Sequence, residues 1–191
     1  MSKGRMEAFS DGVIAIIITI MVLELKVPHG QDLAALRPLA PAFLSYVLSF
    51  VYVGIYWNNH HHLLQAAHKV NGRILWSNLF LLFWLSLIPI TTAWIGDSQF
   101  ARWPIILYGM VLLMAAIAYT LLQLQLIAQE GRAAPLARAI NSDLKGKVSL
   151  VCYASAILLA FWNPLISLGL YILVAMIWFI PDRRIEKILA E

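Results

Sequence analysis

Charge is the scarcest thing in this chain. Only 13% of the 191 residues are Asp, Glu, Lys or Arg, while 61% are hydrophobic. A soluble domain carries about 25% charged residues. So little polar surface cannot cover a water-exposed fold, which excludes an ordinary soluble protein, and the apolar content also excludes a disordered or collagen-like chain. Acidic residues do not occur between Asp32 and Asp97. Cys152 is the one cysteine, so no intrachain disulfide exists. No Thr-Val-Gly-Tyr-Gly run or similar segment is present that would build a carbonyl selectivity filter. Nucleophile motifs, phosphate-binding loops and zinc signatures are missing too, so no catalytic residue is assigned. What remains is the composition of a polytopic helical membrane protein.

A bilayer core about 30 Å thick needs roughly 20 apolar residues per helix. The sequence predicts an all-α fold of six transmembrane helices in one domain covering 1–191, with spans near 7–25, 39–60, 74–95, 104–128, 148–162 and 164–180. The last apolar block is divided because Trp162-Asn163-Pro164 interrupts it, and proline disfavours a continuous helix. No signal-peptide cleavage site follows the first apolar stretch, so that stretch is kept as a span. A surface helix is expected from Pro135 to Leu144.

Loop charges set the expected orientation. With the N-terminus inside, Lys3, Arg5, Lys69, Arg73, Arg132, Arg138, Lys145, Lys147, Arg183, Arg184 and Lys187 lie on the inner side, and Lys26, Arg37 and Arg102 on the outer. That is 11 against 3 of the 14 basic residues. The positive-inside rule then predicts both termini in the cytoplasm. Six of the seven tryptophans (Trp57, Trp76, Trp94, Trp103, Trp162, Trp178) fall near span ends, as an aromatic belt would. The net charge of +4 is scattered along the chain, so it reads as topology rather than a nucleic-acid footprint.

The first span departs from the lipid-like composition of the others. It begins Arg5-Met-Glu-Ala-Phe9-Ser10-Asp11-Gly12. Two readings are open for Ser10 and Asp11: interfacial residues, or a buried polar network that ties this helix to its neighbours. Arg5 and Asp11, six residues apart, project from different sides of a helix, so a network fits them better than a direct pair. Gly12, Ile16, Thr19 and Leu23 then fall on one helical face. That face is either a packing surface or the lining of a pore. As a lining, stacked apolar rings would form a water-excluding constriction and Thr19 would present hydroxyl oxygens to a cation.

The second span ends Tyr56-Trp57-Asn58-Asn59-His60-His61-His62, with His68 beyond it. Adjacent histidines on a helix point about 100° apart and do not converge on one ion. A polar cap, with imidazoles against Ser10 and Asp11, is the stronger reading, and no metal site is assigned. Asn78 in the third span suits an interhelical hydrogen bond, and Pro89 a kink.

Arg5-x-x-x-Phe9-Ser10-Asp11 with Gly12-Val13-x-Ala15-Ile16-x-x-Thr19 resembles the first-helix signature of the transmembrane protein 175 family. These are potassium channels of animal lysosomes, with bacterial relatives. Trp57-x-Asn59-His60-His61, Leu75-Trp76-x-Asn78-Leu79 and Pro89-x-Thr91-Thr92 resemble the family in order and spacing. The resemblance is close over the first half of the chain and extends to the second half only in span count. It implies a six-helix subunit, one per chain, assembling as a homotetramer whose first helix lines the pore. It implies an apolar constriction at Ile16, with Leu23 and Ile20 as the next level, and a selectivity role for Thr19. Arg5, Phe9, Ser10 and Asp11 would brace the pore helix against Trp57, His60, His61, Trp76 and Asn78. No cofactor is expected beyond the permeant potassium ion, and the partners are further copies of the chain, the lipid bilayer and monovalent cations. A proton-coupled transporter or proton leak using Asp11 and His60 or His61 is the alternative. No matched pair of broken helices supports a transporter repeat. A histidine-metal membrane enzyme would need several spaced histidine motifs where one cluster exists.

Overall fold

The computed structural model describes residues 2–67, 69–131 and 144–179. His68, Arg132, Arg138, Arg183, Arg184, Lys187 and the expected surface helix up to residue 143 lie outside the described residues. Those described form α1 (Lys3–Leu23), a 3-10 turn (Leu33–Leu39), α2 (Ala40–Gln65), α3 (Gly72–Ser86), α4 (Ile88–Asp97), α5 (Arg102–Glu130), α6 (Leu144–Leu159) and α7 (Pro164–Phe179). The protein is an all-helical membrane protein. Among the described residues, four stretches are long and apolar enough to cross a bilayer: Lys3–Leu23, Leu33–Gln65, Gly72–Asp97 and Arg102–Glu130.

Helix boundaries follow local chemistry. Asn71 caps α3, its Oδ1 accepting the Ile74 N–H at 3.0 Å. The stretch expected as one kinked span is two helices that break at Leu87, with Pro89 in the first turn of α4, where a missing N–H costs nothing. Thr91 and Thr92 turn their hydroxyls back onto the Ile88 carbonyl, at 2.9 and 2.7 Å, and so satisfy backbone beside the break. The turn between α6 and α7 falls at 160–163, where Asn163 Oδ1 accepts the Leu165 N–H at 2.9 Å and Pro164 opens α7.

α5 runs through the middle of the bundle. α3 and α6 lie against it, α4 packs on α2, α7 packs on α6, and α1 rests on α2, α3 and α4. Small residues permit the closest approaches. A Cβ on Gly96 would meet the Ala42 Cα at 2.6 Å, so α4 and α2 touch backbone to backbone there. Gly109 of α5 leaves room for the Tyr171 hydroxyl, which donates to the Ile105 carbonyl at 3.2 Å. Ser49 of α2 bonds Thr92 at 2.6 Å and Tyr108 at 3.0 Å, and Tyr52 donates to the Tyr171 carbonyl at 2.6 Å. Polar links of this kind replace the hydrophobic force that lipid does not supply between helices.

The helix ends sort into two groups. Lys3 reaches the Gln65 carbonyl at 3.2 Å and Asn71 reaches Gln129 at 2.6 Å, which gathers the start of α1, the end of α2, the start of α3 and the end of α5. At the other end, Lys26 pairs with Asp97 at 2.9 Å. Both partners are exposed, so the pair adds little to stability. The Lys26 pKa is raised, first by the hydrogen bond from its ammonium to Asp97.

The candidate pore helix and its clamp

α1 has a buried side and an outward side. Met6, Ser10, Ile14, Ile17 and Met21, spaced by three or four residues, pack into the bundle. The opposite face carries Arg5, Phe9, Gly12, Ile16, Thr19, Ile20 and Leu23, all exposed; Ile16 is 57% accessible and Leu23 80%. Only 28% of α1's apolar window is buried, against 56% of α5's, so α1 is a peripheral helix of the isolated subunit. Thr19 donates its hydroxyl proton to the Ile16 carbonyl at 2.9 Å, which leaves the oxygen's lone pairs turned outward.

Where α1 meets α2 and α3, a buried string of hydrogen bonds joins the three helices, and its directions are determined link by link. The Ser10 hydroxyl donates to the Met6 carbonyl at 2.8 Å. Asn78 Nδ2 then donates to Ser10 Oγ at 2.9 Å, so Asn78 turns its Oδ1 towards His60. That oxygen only accepts, so His60 donates from Nε2, at 2.7 Å. Ser10, Asn78 and His60 are all buried. His60 Nδ1, also buried, has no partner among the described residues.

A second string runs along the surface of the same joint. Trp57 Nε1 donates to Asp11 Oδ1 at 3.0 Å. The Trp57 ring stacks on His61, with centroids 6.2 Å apart and planes at 20°. Gln65 Nε2 donates to His61 Nε2 at 2.8 Å, which leaves Nδ1–H to donate to Glu7 Oε1 at 3.1 Å. Asp11 is therefore held by an indole rather than by Arg5 or an imidazole. His60 reaches Ser10 through Asn78, not directly.

Of the residues singled out in the sequence, Ser10, Asp11, Trp57, His60, His61 and Asn78 come together at this clamp. Arg5, Phe9 and Trp76 do not: all three are exposed, Trp76 by 74%. Glu7 and Gln65 also belong to the clamp, through His61, and the sequence signal for it is Glu7, one turn from Asp11 on the same helix. Among the described residues no three His, Cys, Asp or Glu side chains gather as metal ligands would.

The subunit leaves the far face of α1 uncovered, as it does much of α2, and ties the base of α1 to α2 and α3 through a polar clamp. Its fold is that of a channel subunit. The chain belongs to the TMEM175 family. A family model described as endosomal/lysosomal potassium channel TMEM175 matches residues 5–89. A potassium channel of Chryseobacterium sp. (strain P1-3) is 60% identical over 191 residues, covering 100% of both chains. The crystal structure of a lysosomal potassium-selective channel TMEM175 homolog from Chamaesiphon minutus superposes with a TM-score of 0.82 at 26% identity, covering 94% of this chain and 97% of that one. The likeness in fold thus extends through the second half of the chain, where the motifs gave only span count. The Homo sapiens endosomal/lysosomal proton channel TMEM175 is 36% identical over 116 residues, 54% of this chain and 23% of that longer protein. The family and these relatives are channels, not enzymes.

Proposed function

We propose that this chain forms a potassium-permeable cation channel, a homotetramer in a bacterial plasma membrane with both termini cytoplasmic. In this reading α1 lines the pore. Ile16, Ile20 and Leu23 form the apolar constriction, Thr19 supplies a ring of hydroxyl oxygens, and the clamp built on Ser10, Asp11, Trp57, His60, His61 and Asn78 braces the helix at its inner end. Arg5, Phe9 and Trp76 complete the brace between neighbouring subunits. The observation that carries the reading is the outward face of α1. That face sets Gly12 and Thr19 in register with Ile16 and Leu23, and the rest of the subunit leaves it uncovered, which supports a lining role in the assembled channel. The names of the relatives that match the chain from end to end supply the ion.

Selectivity by hydroxyl side chains at a narrow apolar level is weaker than selectivity by a carbonyl cage. Thr19→Ala is therefore expected to lower the potassium-to-sodium permeability ratio roughly fivefold, about 1 kcal/mol of discrimination. Reversal potentials of the purified protein in liposomes, under opposed potassium and sodium gradients, measure it. An unchanged ratio would remove Thr19 from the ion path.

Proton permeation is the second reading. The animal relatives are named proton channels, and Glu7, Asp11 and His61 form a titratable string at the base of α1. A saturable, pH-driven flux abolished by Asp11→Asn would favour coupled proton transport over a channel.

A further inference from the structure

A narrow cavity of about 40 Å³ lies behind the clamp, between α2, α5, α6 and α7. No α1 residue lines it, so it is separate from the outward face on which the proposed pore rests. Tyr56, Asn59, Tyr119, Thr120, Tyr153 and Ser149 are among its walls. Two of these carry spare hydrogen-bonding capacity. The Tyr56 side chain is only 8% exposed, and its hydroxyl makes no hydrogen bond to any described residue. Asn59, equally buried, spends its amide N–H on the Ile55 carbonyl at 2.8 Å, and its Oδ1 takes no bond from a described residue. One donor and one acceptor thus face the same small, partly open space between helices, where polar groups left unmet are costly.

The volume decides the class of occupant. A cavity that admits a benzene-sized molecule is about 150 Å³, while a water needs only about 10–15 Å³ of room and two or more polar partners. Lipid tails and detergent chains are larger still and would leave both polar groups unmet. We propose that this cavity is a built hydration site, holding one or two ordered waters that accept from Tyr56 and donate to Asn59. Asn59 precedes His60, which turns to the other side of α2 and reaches Asn78. The waters therefore help fix the rotational setting of the α2 segment that carries the clamp.

X-ray hydroxyl-radical footprinting of the whole channel in lipid nanodiscs tests this, because radicals form from water in place and modify the side chains beside it. Tyr56, Tyr119 and Tyr153 line the cavity at 8%, 7% and 3% exposure, whereas Tyr108 and Tyr171, both at 0%, do not, so the Tyr56→Phe comparison is the deciding arm. The expected result is modification of the first three several-fold faster than of the last two. Tyr56→Phe keeps the shape and removes the donor, so it should slow modification of Tyr119 and Tyr153 and lower the melting temperature. Equal, slow rates at all five tyrosines would overturn the proposal. So would a Tyr56→Phe protein that is more stable than the parent, since that marks a dry hydroxyl relieved of its burial cost, or one whose Tyr119 and Tyr153 rates do not change.

Discussion

Ile16→Asn is expected to raise potassium flux about tenfold, the change that follows from lowering a permeation barrier by about 1.4 kcal/mol. Ile16 stands on the outward face of α1, and in the proposed tetramer a ring of four such branched apolar side chains would exclude water from a narrow passage. A partly dehydrated ion pays for that exclusion, and four amides would return hydrogen-bonding partners to the constriction. The potassium-to-sodium ratio should fall in the same variant, because a wetter passage lets both ions keep more of their hydration. Flux from liposomes holding the purified protein measures both effects. Ile17→Asn is the control: Ile17 is buried in the bundle, so its amide would stand unpaired there and the expected result is loss of folded protein rather than faster flux. If Ile16→Asn and Thr19→Ala both leave conductance and selectivity untouched, the pore assignment is wrong.

The second large effect is expected at Asn78. Asn78→Leu keeps the branching and heavy-atom count of the side chain, with somewhat bulkier ends, but removes both links of the buried string, to Ser10 at 2.9 Å and from His60 at 2.7 Å. His60 Nδ1 has no partner among the described residues, so the substitution would leave the ring without a hydrogen bond to any of them. An unpaired buried group costs about 1–3 kcal/mol, and an interhelical bond in a membrane protein averages about 0.6 kcal/mol. Together these give a loss of roughly 2–4 kcal/mol. Thermal unfolding of the purified protein should shift down clearly. Ser10→Ala, which keeps the His60–Asn78 bond, should cost less, and the double variant should fall short of the sum because the residues act as one string. A melting temperature unchanged by Asn78→Leu would mean that the string does not hold α1.

The fold was legible in sequence where hydropathy and charge have contrast. Apolar runs separated by basic loops gave the helical class. Trp162-Asn163-Pro164 marked the turn between α6 and α7 because proline and an asparagine cap act locally. Pro89 marked the break in the third span, although the chain separates there into two helices at Leu87 rather than bending one. Asn78 was legible as an interhelical hydrogen-bonding group, and the polar start of α1 as unusual. Partner choice was not. Asp11 takes Trp57, and His60 reaches Ser10 only through Asn78. Those pairings depend on how each helix is rotated about its axis. In α1 that rotation leaves little trace in sequence, because Ile14 and Ile17 on the buried side are as apolar as Ile16 and Ile20 on the outward side. The tyrosine-lined cavity was hidden for the same reason, since its walls come from four helices scattered over the chain.

Cysteine accessibility tests the central claim, that the outward face of α1 lines the ion path. The native thiol, Cys152, is half-buried in α6 and is first removed as Cys152→Ser. Single variants Ile16→Cys, Thr19→Cys and Leu23→Cys are then compared with Ile14→Cys, Ile17→Cys and Met21→Cys during potassium flux, with a membrane-impermeant cationic thiol reagent applied. Block at the first three positions and none at the last three is the predicted result. Continued flux after the reagent at Ile16→Cys, Thr19→Cys and Leu23→Cys, or equal block on both faces, would contradict it.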